Sequence, residues 1–288
     1  NVNADGVGLL RTEFIYMEGE KLPEELEQAE IYQKISEKIG EDKPLIIRTL
    51  DIGADKSLPY FKMAPEQNPS LGERGIRFTL DKKNILKAQL RAVLRASKGK
   101  NIKIMHPMVT NIREIEAVLA LTETAKEELR AEGVEFNEKI ETGIMVEVPS
   151  AVLMAEKMCE YIDFFSIGSN DLAQYILATD RFSLRENNLY DYYDPAVLRA
   201  VNLVAEAAVK KGKEIGVCGE MAGEPVGIVI LLSFGIKNLS MSNVFIPRAR
   251  NIVRKVKISD LKEIKKSVLN CKNSEEVRHI VREYIKKL

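Results

Sequence analysis

The chain has 288 residues, 45% of them hydrophobic and 30% charged, which suits a large core beneath a well-solvated surface. Lysine plus arginine and aspartate plus glutamate both number 43, and that balance excludes a protein that coats nucleic acid through excess basic charge. No apolar run is long enough to cross a bilayer, so neither nucleic acid nor membrane insertion is expected.

The chain opens on NVNADGVGLLRTEF, with no basic segment ahead of an apolar stretch and no initial Met. It therefore reads as part of something larger, with no signal peptide in view. Short β-branched or aromatic runs then alternate with long amphipathic stretches. The predicted strands are GVGLL (6–10), PLIIRTL (44–50), NIKIMHPMV (101–109), TGIMVEV (142–148), IDFFSIG (162–168), EIGVCG (214–219) and IKNLSMS (236–242). After the second strand, 51–81 carries Pro59, Pro65 and Pro69 and reads as a long functional loop with little regular structure. A helix over 82–97 places Ile85, Leu86, Leu90, Val93 and Leu94 on one face. Asn111 and Glu114 form a capping box that opens a helix to about Glu132. Asp194 and Pro195 mark an N-cap and first helical position for 195–212. The last helix, from Ser274, has Val277, Ile280, Val281, Tyr284 and Leu288 on its core stripe. With a weak eighth strand near Val244–Ile246, this alternation predicts an α/β fold, a single-domain (β/α)8 TIM-like barrel over 1–288.

In such a barrel the C-terminal strand ends face one way, and active sites form there. Arg11 follows the first strand, Arg48 ends the second with Asp51 after it, Glu147 ends the fourth, Asn170 and Asp171 follow the fifth, and Cys218 ends the sixth. A carboxylate in the apolar run GIMVEV calls for a metal or an ion pair, since a bare one is costly to bury. Asp171 suits a metal, or an N-cap for LAQYIL. Two carboxylates with no softer group beside them favour a hard ion such as Mg2+. Arg11 and Arg48 follow apolar strands, where a bidentate oxyanion accounts for them better than surface pairing. Cys218 is a candidate thiol or a small packing residue. Cys159 and Cys271 read as packing residues, and His106 and His279 lack ligand spacing. Three scattered cysteines without metal spacing suit a reducing cytoplasm.

The blocks GLLRTEF, RTLDIGADKSLPY, LGERGIR, GIMVEVPSA, FFSIGSNDLAQYILATDR and GVCGEMAGEP, collinear from about residue 3 to beyond 242, resemble the phosphoenolpyruvate-binding C-terminal domain of enzyme I. Enzyme I is the phosphoenolpyruvate–protein phosphotransferase of the bacterial sugar phosphotransferase system. The resemblance implies that Arg11 and Arg48 hold the substrate's phosphate and carboxylate, that Arg181 holds phosphate, that Lys56 and Arg74 add further basic contacts, and that the Asn170 amide and Asp171 bind the substrate as well. It implies Mg2+ ligated by Glu147 and Asp171, and Cys218 as the thiol that protonates the enol carbon. It further implies a homodimer, release of pyruvate, and transfer to a histidine on a separate N-terminal domain and thence to the histidine-containing phosphocarrier protein. Neither His106 nor His279 has the setting of that phosphoacceptor. Ser169 stands where threonine is common, and Phe182 where many relatives carry Gly or Met.

The related barrels of phosphoenolpyruvate synthase and pyruvate phosphate dikinase carry a GEH-type segment where this chain has GEMAGEP, which favours enzyme I. A third reading makes the chain chiefly a ligand-sensing dimerisation module.

Overall fold

The computed structural model describes residues 3–53, 60, 66–181 and 189–288. The chain divides into two compact units, Asp5–Met145 and Val146–Leu288, the second also taking in the residues before Asp5.

In the N-terminal unit the order is β1 (Val7–Leu10), α1 (Glu13–Met17), α2 (Glu25–Ile39), β2 (Leu45–Arg48), α3 (Ile76–Asp81), α4 (Lys83–Ala96), β3 (Ile102–His106), α5 (Ile112–Ala131) and β4 (Thr142–Val146). The last residue of β4 is counted with the second unit. β1 pairs parallel with β2, β2 with β3 in the register Leu45 to Ile102 through Arg48 to Met105, and β3 with β4. β3 and β4 are buried along their whole length, the usual state of a parallel strand covered on both faces. The stripe foreseen on α4 is buried, and the helix packs against α2 and α5. The capping box is present too: Asn111 Oδ1 accepts from the Glu114 N–H at 3.2 Å, and Glu114 Oε2 accepts from the Asn111 N–H at 3.3 Å. On the outer side Arg91 of α4 reaches Glu25 of α2 at 2.6 Å, Glu128 of α5 at 3.0 Å and Glu132 at 2.7 Å.

The C-terminal unit continues with α6 (Pro149–Leu153), α7 (Ala155–Met158), β5 (Phe164–Gly168), α8 (Ser169–Ile176), α9 (Pro195–Lys210), β6 (Glu214–Cys218), α10 (Pro225–Ser233), β7 (Asn238–Ser240), α11 (Ile246–Lys255), α12 (Ile258–Leu269) and α13 (Ser274–Ile285). β5 and β6 pair parallel from Phe164 with Glu214 to Gly168 with Cys218, and β6 continues to β7. Asp194 caps α9, its Oδ1 accepting from the Ala196 N–H at 2.8 Å. On α13, Val277 and Val281 are buried and Ile280 and Tyr284 half-buried, while Leu288 lies past the helix end and is half-buried.

All seven predicted strands are present, and their order β1 to β7 with intervening helices is that of an α/β fold of the TIM-like barrel type. Two expectations fail. No eighth strand forms at Val244–Ile246, where a 3-10 turn over Asn243–Phe245 leads into α11. Pro247 sits in the first turn of that helix, where its missing N–H costs nothing, and Val244 is left 70% exposed. The reading of 51–81 as irregular fails at its end. Gly75 adopts φ +58°, a left-handed value that glycine tolerates, and starts α3, which buries Ile76, Phe78 and Thr79.

Candidate functional site

In the N-terminal unit the arginines sit where the strand ends place them. Arg11 lies one residue beyond β1; it is exposed and makes no ion pair with another described residue. Arg48 is the last residue of β2 and is buried, and it does not lack protein anions. Its guanidinium meets the Glu13 carboxylate through Nη2 and Asp51 Oδ2 at 3.0 Å through Nη1, with Met145 Sδ 3.7 Å from Nη1. Arg74, also buried, donates to Asp51 from Nε at 3.3 Å and from Nη2 at 2.9 Å. Two buried guanidinium groups and two buried carboxylates thus form one network, in which the acids fix the planes of the arginine forks. Glu13 is the member that the sequence reading missed. Lys56 lies outside the described residues.

Behind this network runs a buried chain of neutral partners. Tyr16 and Tyr32 both donate to Gln28 Oε1, at 2.9 and 3.2 Å. Gln89 Nε2 donates to the Tyr32 hydroxyl at 3.3 Å and to Thr12 Oγ1 at 3.1 Å, and Thr12 donates to the Arg48 carbonyl at 2.9 Å. The backbone of the arginine is thereby held from α2 and α4. Next to it, on β3, His106 is completely buried, with Nδ1 3.2 Å from Thr49 Oγ1. Burial pushes its pKa from 6.5 down to about 3, so the ring is neutral.

In the C-terminal unit Glu147 follows β4 and is completely buried. The helix α6 that begins two residues later packs against α8, whose first turn bears Asn170 and Asp171. Asp171 is the third residue of that helix and does not cap it; Gly168 occupies the cap position, and no side chain closes it. Asp171 is 9% exposed and stands 3.5 Å from Arg181 Nη1, while the Arg181 N–H donates to Gln174 Oε1 at 3.2 Å. Beside it, Asn170 Oδ1 is buried without a hydrogen-bond partner among the described residues. A buried amide oxygen without a donor costs roughly 1–3 kcal/mol. The Asn170 carbonyl accepts from the Tyr190 hydroxyl at 3.3 Å, and burial raises that phenol to about 12, keeping it a donor at neutral pH.

Cys218 ends β6 directly beside this turn, since Gly168 is its register partner and Ser169 Oγ donates to its carbonyl at 3.3 Å. The next residue, Gly219, has φ +124°, and a Cβ there would stand 2.5 Å from Ser169 Oγ and 3.2 Å from Asn170 Oδ1. Only glycine lets the β6 turn approach α8 so closely.

Among the described residues no group of three or more His, Cys, Asp and Glu side chains could hold a metal ion. Glu147, Asp171 and the Asn170 amide oxygen, which has no hydrogen-bond partner among the described residues, all offer hard oxygens. Such a set fits Mg2+, which accepts one or two carboxylates and keeps water or substrate oxygens for the rest. No helix among the described residues is long and apolar enough to cross a membrane.

Residues 1–258 match the family described as PEP-utilising enzyme, PEP-binding domain. The chain belongs to this PEP-binding family. Its similar relatives include three proteins named phosphoenolpyruvate-protein phosphotransferase. That of Priestia megaterium is 46% identical over 96% of this chain and 48% of its own length. That of Staphylococcus carnosus (strain TM300) is 46% identical over 98% and 49%, and that of Bacillus subtilis (strain 168) is 44% identical over 98% and 49%. The chain spans about half the length of the curated relatives it matches. The PEP-binding family match reaches to the first residue of α12, so α12 and α13 lie almost wholly beyond it.

Proposed function

We propose that the chain binds phosphoenolpyruvate with Mg2+ and serves phosphoryl transfer from it, releasing pyruvate. The observation that carries this reading is positional. Arg11, Arg48, Glu147, Asn170, Asp171 and Cys218, assigned by the resemblance, all lie within three residues of a parallel strand's C-terminal end, in a chain of the PEP-binding family.

The substrate carries a phosphate and a carboxylate, and Arg11, Arg48, Lys56, Arg74 and Arg181 are the proposed cations for them. Phosphoryl transfer needs positioning and charge neutralisation above all, and bidentate guanidinium groups supply both. Glu147 and Asp171 are the proposed ligands of Mg2+, which when bound would neutralise charge on substrate oxygens. Asn170 presents its amide to the substrate. As the phosphoryl group departs, Cys218 gives a proton to carbon three of enolpyruvate.

The acceptor in this reading is a histidine on a separate N-terminal domain, which passes the group to the histidine-containing phosphocarrier protein. The names of the relatives support that whole activity, and the three free cysteines suit the cytoplasm. A homodimer is part of the same proposal, and the exposed Leu153, Leu203 and Val209 are apolar side chains that a second copy would cover.

Calorimetric titration with phosphoenolpyruvate tests the reading. Binding should be measurable with Mg2+, weaken markedly in chelator, and weaken at least tenfold in Arg11→Ala, since a hydrogen bond to a charged group is worth roughly 1.5–3 kcal/mol. Affinity indifferent to chelator removes the metal assignment, and no binding at all removes the substrate.

A further inference from the structure

Among the contacts of Cys218 with described residues, three concern its sulfur and its carbonyl. Ser166 Oγ donates to Sγ at 3.6 Å, the thiol donates to the Ile167 carbonyl at 3.5 Å, and Ser169 Oγ donates to the Cys218 carbonyl. Ser166 and Cys218 are each 4% exposed, so charge on the sulfur would be poorly solvated. Ser166 lies within the buried run of β5, between Phe165 and Ile167. A hydroxyl in such a place is costly unless bonded, and its hydrogen bond among the described residues goes to the sulfur.

We propose that Ser166 is a positioning residue for proton transfer at Cys218, its hydroxyl orienting the thiol and stabilising the thiolate that the transfer leaves behind. The inference rests on the reading of Cys218 as the proton donor to enolpyruvate. In that step the S–H bond breaks and its electron pair stays on sulfur. The enolate π pair takes the proton to form the new C–H bond at carbon three, and the carbonyl forms at carbon two, giving pyruvate. Negative charge grows on sulfur as the proton leaves. A hydrogen bond to a charged acceptor is roughly twice as strong as one to a neutral acceptor, so the Ser166 contact tightens toward the transition state. An interaction that is stronger there than in the ground state lowers the barrier.

The test uses the chain with Cys159 and Cys271 replaced by Ala, leaving Cys218 as the one thiol. The ultraviolet absorbance of the thiolate is followed against pH in this parent, in Ser166→Ala and in Ser166→Thr. Asp171, Arg181 and Glu220, the charged groups on the segments next to the end of β6, stay the same in all three. Ser166→Ala should raise the thiol pKa by about one unit, a tenfold weaker acid, and Ser166→Thr should restore it. Exchange of pyruvate methyl protons into deuterium oxide, with Mg2+ present, should slow about tenfold in Ser166→Ala, while phosphoenolpyruvate affinity stays unchanged. An unaltered thiol pKa in a folded Ser166→Ala, or a raised pKa with undiminished exchange, overturns the role of Ser166. Exchange that survives in Cys218→Ala instead sinks Cys218 as donor, and the absorbance titration still judges the Ser166 contact on its own.

Discussion

Replacing His106 by Gln should make the chain less sensitive to acid. The ring is completely buried on β3, and its Nε2 has no hydrogen-bond partner among the described residues. Folding holds it neutral with a pKa of about 3 against an ordinary 6.5, and desolvation is the cause. A base whose folded pKa is depressed favours the unfolded chain in acid, because only the unfolded chain takes up the proton readily. Its contribution is therefore intact above pH 6.5 and is lost as pH falls from there toward 3. At pH 5 the unfolded imidazole is almost wholly protonated and the folded one is not, which costs about 2 kcal/mol. Below pH 3 the cost levels off near the full shift, roughly 5 kcal/mol. The assay is denaturant unfolding of wild type and His106→Gln at pH 7 and pH 5, with the Gln amide still able to bond Thr49. The stability difference between the two proteins should move by about 2 kcal/mol in favour of the variant between those pH values. The comparison cancels the carboxylates common to both. Parallel pH slopes would show that the ring is hydrated or charged in the folded protein, and the reasoning would fail.

Arg91→Met removes the hub joining Glu25, Glu128 and Glu132, and should lower stability by about 1–3 kcal/mol in low salt. Unfolding in molar salt should shrink that loss, because those carboxylates are part-exposed and screened. Glu13→Ala removes one of the two carboxylates beside the buried Arg48 and leaves Asp51, for a cost of about 3 kcal/mol in denaturant unfolding; a change below about 1 kcal/mol would mean the guanidinium is hydrated. Gly219→Ala forces a methyl to within 2.5 Å of Ser169 Oγ and strains a left-handed residue, so both stability and phosphoenolpyruvate affinity should drop; retention of both would mean that the turn relaxes freely.

The strands were legible because each is a short apolar run bounded by turn residues, and the parallel order followed from the amphipathic stretches between them. Val244–Ile246 has the same apolar look, but Pro247 makes it the doorway to a helix, and three residues are too few for period to decide. The helix at Ile76–Asp81 was hidden by the prolines upstream and by its own shortness. Among candidate site residues, those that end strands could be proposed from position alone. Glu13 could not, because its meaning comes from a guanidinium 35 positions away, and nothing in RTEF separates it from a solvated acid. Arg48 lies beside two protein carboxylates, Glu13 and Asp51, that strand position alone does not reveal. Ser166 escaped notice for a related reason, since its partner is 52 residues distant across β5 and β6.

The linked amides and hydroxyls from Tyr16 and Gln28 through Tyr32 and Gln89 to Thr12 impose a rule on divergence in this fold. Losing any single link strands a neighbour's polar atom in a dry interior, so drift by isolated steps is penalised. Homologous sequences should therefore keep the set intact or exchange several members together for hydrocarbon, and half-converted combinations should be scarce.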